Sequence, residues 1–325
     1  MVQKRFLLFI LLIICNLKVS FTQDPTFSQF YTNRLYMNPA WAGLDEKRFF
    51  INYRNQYDNA YVTYSASYDQ YIEPIHGGLG FLIMNDVQGS GSINQLSLSS
   101  IYSYHIKINR SLTINGGLQA SFVQRKLNAS KFVFGDQINP ATGEITGGSE
   151  NYGDFKTAFP DFSTGFAAFY KKIYMGLGIF HLLTPVQSIS SDTDARLPRK
   201  FVFNIGGFFP VYEKRFGKEV LQLNPNLIYL RQKNLEQLCY GLEVLVQNRY
   251  SAGLLIRQNL GIRYSALIFT GGFIYNNLRF RYSYDAQLST PTINFTTKGA
   301  HEISLIVAIA ENKKNSHKAI KCPKF

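Results

Sequence analysis

Cysteine and tryptophan are scarce, with three Cys and one Trp in 325 residues. Cys15, Cys239 and Cys322 follow no spacing rule, so neither a disulfide framework nor a zinc site is indicated. Long apolar runs are scarce too. Phe6–Cys15 is the one wholly apolar stretch of its length, about half of the ~20 residues that a spanning helix needs. With a mean hydropathy of −0.10, no helical membrane span is expected. The sequence also lacks the common enzyme motifs: no HExxH, no G-x-S-x-G, no Walker A and no complete G-x-G-x-x-G. His76, His105, His181, His301 and His317 are dispersed, with no acid placed to match. The chain is read as a non-enzyme, with no catalytic residue, cofactor or metal ligand expected. Asp136, Glu144, Glu150 and Asp154 fall in one loop, which leaves calcium open, although their spacing fits no EF-hand.

The N-terminus reads as an export signal. Lys4 and Arg5 form a basic start, Phe6–Cys15 an apolar centre, and Ser20-Phe21-Thr22 a small-residue cleavage site. Cleavage is expected between Thr22 and Gln23, with cleavage after Gln23 as the alternative. The formal charge of +13 falls to +10 when Lys4, Arg5 and Lys18 leave with the signal. The remaining basic residues are scattered over strand ends, turns and a tail. They suit anionic lipid or a protein partner, and nucleic acid is not expected.

Period-two alternation fills most of the mature chain. In Asn94–Ile108, Leu96, Leu98, Tyr102, Tyr104 and Ile106 share one face, opposite Gln95, Ser97, Ser99, Ser103 and His105. In Ser111–Arg125, Leu112, Ile114, Leu118 and Phe122 oppose Thr113, Asn115, Gln119 and Ser121. Phe280, Tyr282, Tyr284 and Leu288 likewise face away from Arg281, Ser283 and Asp285. These are half-buried strands, long enough to cross a bilayer when tilted, which takes about 9–11 residues. An aromatic share of 15% suits the interfacial girdles of a transmembrane barrel. Strand starts fall near Lys47, Ala60, Gly77, Ser92, Arg110, Asp161, Ile173, Lys200, Glu219, Leu235, Arg249, Ile262, Asn277 and Ala300. The expected fold is therefore all-β, a transmembrane antiparallel β-barrel of the outer membrane with about fourteen strands, an even number as such barrels require. Twelve and sixteen stay open at this point. Turn signals are Asp58-Asn59, Asn85-Asp86 with Gly89-Ser90-Gly91, Asn109-Arg110 and Asn276-Asn277. Lys126–Pro160, Ser188–Arg199 and Ser289–Gly299 read as loops, the first placed outside the cell because barrels keep their short turns in the periplasm. Gly176 and Gly178 lie within a strand, where they relieve crowding or shape the barrel.

The divisions are a signal peptide (1–22), a leader (23–46), a barrel (47–311) and a basic tail (312–325). In the leader, Asp24-Pro25 suits a helix start. Phe27, Phe30, Tyr31, Arg34 and Leu35 then recur at helical spacing until Asn38-Pro39 ends the pattern and Gly43 turns into the first strand. The expectation is a short helix or coil tucked into or across the periplasmic mouth of the lumen.

Several strings together resemble one family. They are Gln23-Asp24-Pro25, Phe27-Ser28-Gln29, Asn33, Asn38-Pro39-Ala40-x-Ala42-Gly43, Tyr53-Arg54-Asn55-Gln56, Thr63–Ile72, Leu197-Pro198-Arg199, Tyr282-Ser283-Tyr284-Asp285, Gly299–Leu305 and Cys322-Pro323-Lys324-Phe325. In this order they resemble the PorP/SprF membrane proteins of the type IX secretion system. Where that family commonly has Trp after the Arg-Asn-Gln string, this chain has Tyr57. The resemblance implies a non-enzymatic outer-membrane barrel that assists secretion or surface attachment of cargo proteins, adhesins among them, with gliding motility as one setting. Its implied partners are the C-terminal domains of secreted cargo, components of the secretion or gliding machinery, and the lipid bilayer. Candidate partner-binding residues are Asp24, Pro25, Phe27, Ser28, Gln29, Asn33, Asn38, Pro39 and Gly43 in the leader. In the tail they are Lys321, Cys322, Pro323 and Phe325. The tail is read as a periplasmic contact in preference to a barrel-insertion signal. A passive porin or small-solute transporter is the alternative function, and a barrel that tethers the envelope through its tail is a third.

Overall fold

The computed structural model describes residues 24–44, 47–132, 138–139, 142–145, 154–188, 195–214, 218–260, 264–288 and 299–309. The wall of the molecule is one antiparallel sheet of fifteen strands: β1 (Arg48–Gln56), β2 (Tyr61–Ile72), β3 (Gly77–Gln88), β4 (Ile93–Lys107), β5 (Leu112–Leu127), β6 (Phe155–Tyr170), β7 (Ile173–Phe180), β8 (Lys200–Gly207), β9 (Phe209–Lys214), β10 (Lys218–Gln232), β11 (Leu235–Val246), β12 (Tyr250–Asn259), β13 (Tyr264–Tyr275), β14 (Leu278–Gln287) and β15 (Ala300–Ala308). β15 pairs with β1 and β10 with β11, so the sheet closes on itself. β8 and β9 lie end to end against different parts of β10, broken at Phe208, and count as one stave of a fourteen-strand barrel.

The alternation in the sequence is the reason for closure. Outward positions such as Phe81, Leu118, Phe122, Phe162 and Leu254 are exposed and apolar, while inward Ser97, Ser103, Asn115, Ser283 and Ser304 are buried and polar. A water-soluble protein does not leave so large a contiguous apolar surface bare. A bilayer covers it, and closure satisfies the backbone in hydrocarbon.

Short connections join the strands at one mouth: residues 73–76, 108–111, 171–172, 247–249 and 276–277. The strand ends that bound the longest intervals, between β5 and β6, β7 and β8, and β14 and β15, face the other mouth, called here the long-loop mouth. Left-handed backbone at Asp58, Asn59, Gln247, Asn248 and Asn276 closes several tight hairpins, as two-residue turns between right-twisted strands require.

Three sequence expectations need correction. β5 and β6 extend further than the loop Lys126–Pro160 allowed, and Leu127 pairs with Phe155. Pro160, the end of that expected loop, sits inside β6 opposite Phe122. Asn85-Asp86 is no turn; both residues lie in β3, and the reversal uses Gly89, Ser90 and Gly91, all with positive φ. Asp24-Pro25 does not start a helix. The leader is irregular apart from α1 (Arg34–Met37) and a 3-10 turn at Pro39–Trp41, and at Asp24 and Ser28 its backbone N–H groups donate to wall side chains rather than to a helix ladder. The signal segment with Thr22 and Gln23, and the tail residues Lys321, Cys322, Pro323 and Phe325, lie outside the described residues.

Leu118, 64% exposed, sits on the outer face near the middle of β5. Leu118→Arg is expected to destabilise the folded barrel by roughly 2–4 kcal/mol, as for a charge at the bilayer midplane. Equilibrium unfolding in lipid vesicles measures this, with Lys107→Ala at the rim as the near-neutral control.

Candidate functional site: a plugged lumen

The leader runs through the barrel from one mouth to the other. Asp24 lies at the long-loop mouth, against His181, Lys200 and Gln232. Gly43 lies at the short-turn mouth, against Asp69 of β2. The expected leader position at the mouth where β1 begins thus holds for its last residues, and the rest continues through the lumen. Phe27 to Leu44 are buried throughout.

Three levels of contact hold it. At the long-loop mouth the Asp24 carboxylate is 2.6 Å from Lys200 Nζ and 2.8 Å from His181 Nε2. His181 Nδ1 lies 2.8 Å from Asp161 Oδ2. The Lys200 ammonium also stands 4.6 Å from the ring centres of Tyr36 and Phe180, a cation–π arrangement. Burial alone would lower the basicity of His181, but Asp24 and Asp161 hold its pKa up at about 9. Burial would raise the Asp24 carboxyl, yet Lys200 and His181 keep it well below the usual carboxylate range.

In the middle, Ser28 meets four barrel side chains. Arg54 of β1 donates from Nη2 to Asp285 at 2.8 Å and from Nη1 to Glu302 at 2.9 Å. Arg257 of β12 reaches Asp285 at 2.9 Å. Ser28 Oγ accepts from both guanidiniums at 2.6 Å and donates to Asp285 at 2.7 Å. The backbone N–H groups of Ser28 and Gln29 donate to the two oxygens of Glu302, at 2.7 and 3.3 Å. Gln29 Nε2 bonds the Glu302 carbonyl at 3.1 Å, and Asn33 Nδ2 bonds Ser65 at 3.3 Å. An Arg281–Glu243 ion pair lies beside the Tyr31 ring. Around this level Phe27, Phe30, Leu35 and Met37 pack with inward Leu82, Ile101, Val202 and Leu255. Phe27 meets Tyr36 edge-on, with centroids 4.9 Å apart.

Near the short-turn mouth, Asn38 Oδ1 accepts from Ala40 N at 2.9 Å and caps the 3-10 turn begun by Pro39, while Asn38 Nδ2 donates to Phe166 O at 2.9 Å. Ala40 O accepts from Ser103 Oγ at 2.9 Å, and Ala42 O lies 3.0 Å from His105 Nε2. His105, on the polar face of β4, thus makes its hydrogen bond inside the lumen. Gly117 lets the leader pass: a Cβ there would stand 2.3 Å from Ala40 N. Gly43 has φ +67°, and its N–H donates to Asp69 at 3.0 Å, with Arg48 3.3 Å from the other Asp69 oxygen. Trp41 packs edge-on to Tyr174 at 5.3 Å.

Above the plug, at the long-loop mouth, a polar vestibule of about 550 Å³ is floored by Asp24, Pro25 and Thr26. Arg54, Arg125, Arg257, Asp86 and Asp285 line it, with the amides of Gln56, Gln88, Gln237 and Asn259. The structure therefore brings all nine candidate leader residues into the lumen or one of its two mouths. The sequence reading missed the wall partners Arg54, Arg257, Asp285 and Glu302 as a set, though Arg54, Asp285 and Glu302 stood inside the motif strings. Ionised residues on polar strand faces were the available signal. Among the described residues no cluster of three His, Cys, Asp or Glu is placed to hold a metal. Of the four loop carboxylates, Asp136 and Glu150 lie outside the described residues, and Asp154 pairs with Lys126 at 2.5 Å.

Closed wall, apolar outer belt and plugged lumen define an outer-membrane β-barrel with an internal N-terminal plug. The profile of the type IX secretion system membrane protein PorP/SprF family matches residues 19–307, and the chain belongs to that family. Among curated proteins, none matches. Solved structures similar to it include a Pseudomonas aeruginosa FadL homologue, 11% identical, covering 83% of this chain and 92% of that one at a TM-score of 0.47. The CymD monoaromatic hydrocarbon channel is 12% identical, with coverages of 85% and 92% and a TM-score of 0.45. The KdgM porin is 6% identical, with coverages of 81% and 99% and a TM-score of 0.38.

Removing one partner of a buried ion pair typically costs about 3–5 kcal/mol. Asp285→Asn leaves Arg54 and Arg257 short of a counter-charge, and the unfolding free energy is expected to fall by about that amount. Ser28→Ala should cost about 1–3 kcal/mol, as for one lost buried hydrogen-bonding group. The His181 contribution has a definite sign. Its pKa rises from 6.5 unfolded to about 9 folded, so its stabilisation is complete below pH 6.5 and lost as pH passes through about 9. Thermal unfolding midpoints from pH 6 to 10 should show this loss, and His181→Gln should remove that part of the pH dependence.

Proposed function

We propose that this protein assists secretion or surface attachment of cargo by the type IX system as a plugged, non-enzymatic receptor barrel. The observation that carries this reading is the leader filling the lumen from Asp24 to Gly43, with the polar vestibule above it. A passive pore needs a continuous water path, and the buried Ser28–Arg54–Asp285–Glu302 network stands across it. The vestibule would receive the C-terminal domain of an exported cargo at the outer face. Signal cleavage between Thr22 and Gln23 would leave the mature N-terminus beside that site. At the periplasmic face the tail residues Lys321, Cys322, Pro323 and Phe325 would meet the secretion or gliding machinery. Partner contact by the leader residues themselves would require the plug to leave the wall.

Two measurements test this. Purified barrel should retain C-terminal domains of type IX cargo in pull-down, and deleting the gene should remove that cargo from the cell surface. Unchanged secretion and display of all cargo would overturn the proposal. In planar bilayers the intact protein is expected to be silent, whereas a variant lacking residues 24–43 should conduct ions. A large open conductance from the intact protein would favour the porin alternative.

A further inference from the structure

Closure removes strand edges from a barrel, but one edge survives here. Among the described residues, β9 is the strand with a single neighbour. β8 pairs with β7 as far as Gly207 opposite Ile173, and Phe208 N still reaches Lys172 O at 2.9 Å. From Phe209 to Lys214 the chain pairs with β10 alone. A row of unpaired backbone groups is not tolerated against lipid, so β9 stands beyond the hydrocarbon, at the short-turn mouth.

Its surroundings have a definite chemistry. Phe209, Val211 and Tyr212 are exposed, the last two at 57% each. Lys171 and Lys172 are exposed in the turn next to the free edge, and Arg249 is exposed in the turn beyond β10. In sequence, Lys214 and Lys218 are offset by Glu213 and Glu219, so the excess positive charge comes from the flanking turns. Backbone donors and acceptors, apolar side chains and a basic flank converge on one strip.

We propose that the free edge of β9 is a docking strand for an acidic, extended polypeptide segment, which adds to the sheet by backbone pairing. A lipid headgroup answers the charge but not the alternating donors and acceptors. A second copy of this chain is disfavoured on the same ground that selects the acidic partner: each copy brings Lys171 and Lys172 to the contact. This inference is independent of the cargo reading, which concerns the opposite mouth.

The test uses the full chain in lipid nanodiscs and a fluorescein-labelled peptide of alternating valine and glutamate long enough to span β9. Fluorescence anisotropy should show saturable binding that weakens with salt. Lys171→Glu with Lys172→Glu, on an exposed turn, should weaken it by about tenfold or more. A photo-crosslinking residue at Val211 should capture the peptide, and one at Leu118 should not. The proposal is overturned if the intact protein fails to bind, or if a valine–lysine peptide binds as well. Binding indifferent to the paired charge reversal would also overturn it, as would capture at Val211 of a second copy instead of the peptide.

Discussion

Everything inside this barrel depends on one constraint: charges taken out of water must be neutralised at fixed positions. Arg54 and Glu302 are essentially buried, at 1% and 0% exposure, and each would be costly alone. They are satisfied jointly with Arg257 and Asp285, and the geometry is completed by Ser28 from the leader. The wall supplies the charges, and the plug supplies a hydroxyl and two backbone N–H groups. The wall charges balance one another, but their hydrogen bonding is complete only with the leader in place. That coupling explains why an irregular segment with one helical turn adopts a single path.

The same dependence orders the remaining contacts along the axis. The Asp24–Lys200–His181 cluster fixes the free end of the leader, and Gly43 with Asp69 fixes the end tied to β1. Between them, aromatic and aliphatic side chains occupy the lumen where the inward wall is itself apolar, at Leu82, Val202 and Leu255. An even-stranded barrel returns its strand ends to one side, but a leader threaded through the lumen carries the start of the described chain to the other.

The wall was largely legible because strand periodicity is a local signal. Ile173, Lys200, Leu235 and Ala300 begin strands where alternation places them, and Asp58-Asn59 and Asn276 turn where short polar residues accept left-handed backbone. The β6 start was misplaced because Pro160 mimics a boundary from sequence alone. The plug was only half legible. Helical spacing of Phe27, Phe30, Tyr31 and Arg34 suggested local order, but their true partners lie up to 274 residues away, as for Ser28 and Glu302. No periodicity encodes a contact of that range. The strings Phe27-Ser28-Gln29 and Asn38-Pro39 that marked the family take on a physical meaning here: they are the plug's points of attachment to the wall.

The central claim is the path of the leader, and sided thiol labelling tests it most directly. In intact cells carrying Thr26→Cys, a membrane-impermeant maleimide added outside should label the protein. Lys47→Cys should stay unlabelled until the outer membrane is permeabilised. Labelling of both positions only after permeabilisation would contradict a leader that crosses the lumen from the long-loop mouth to β1.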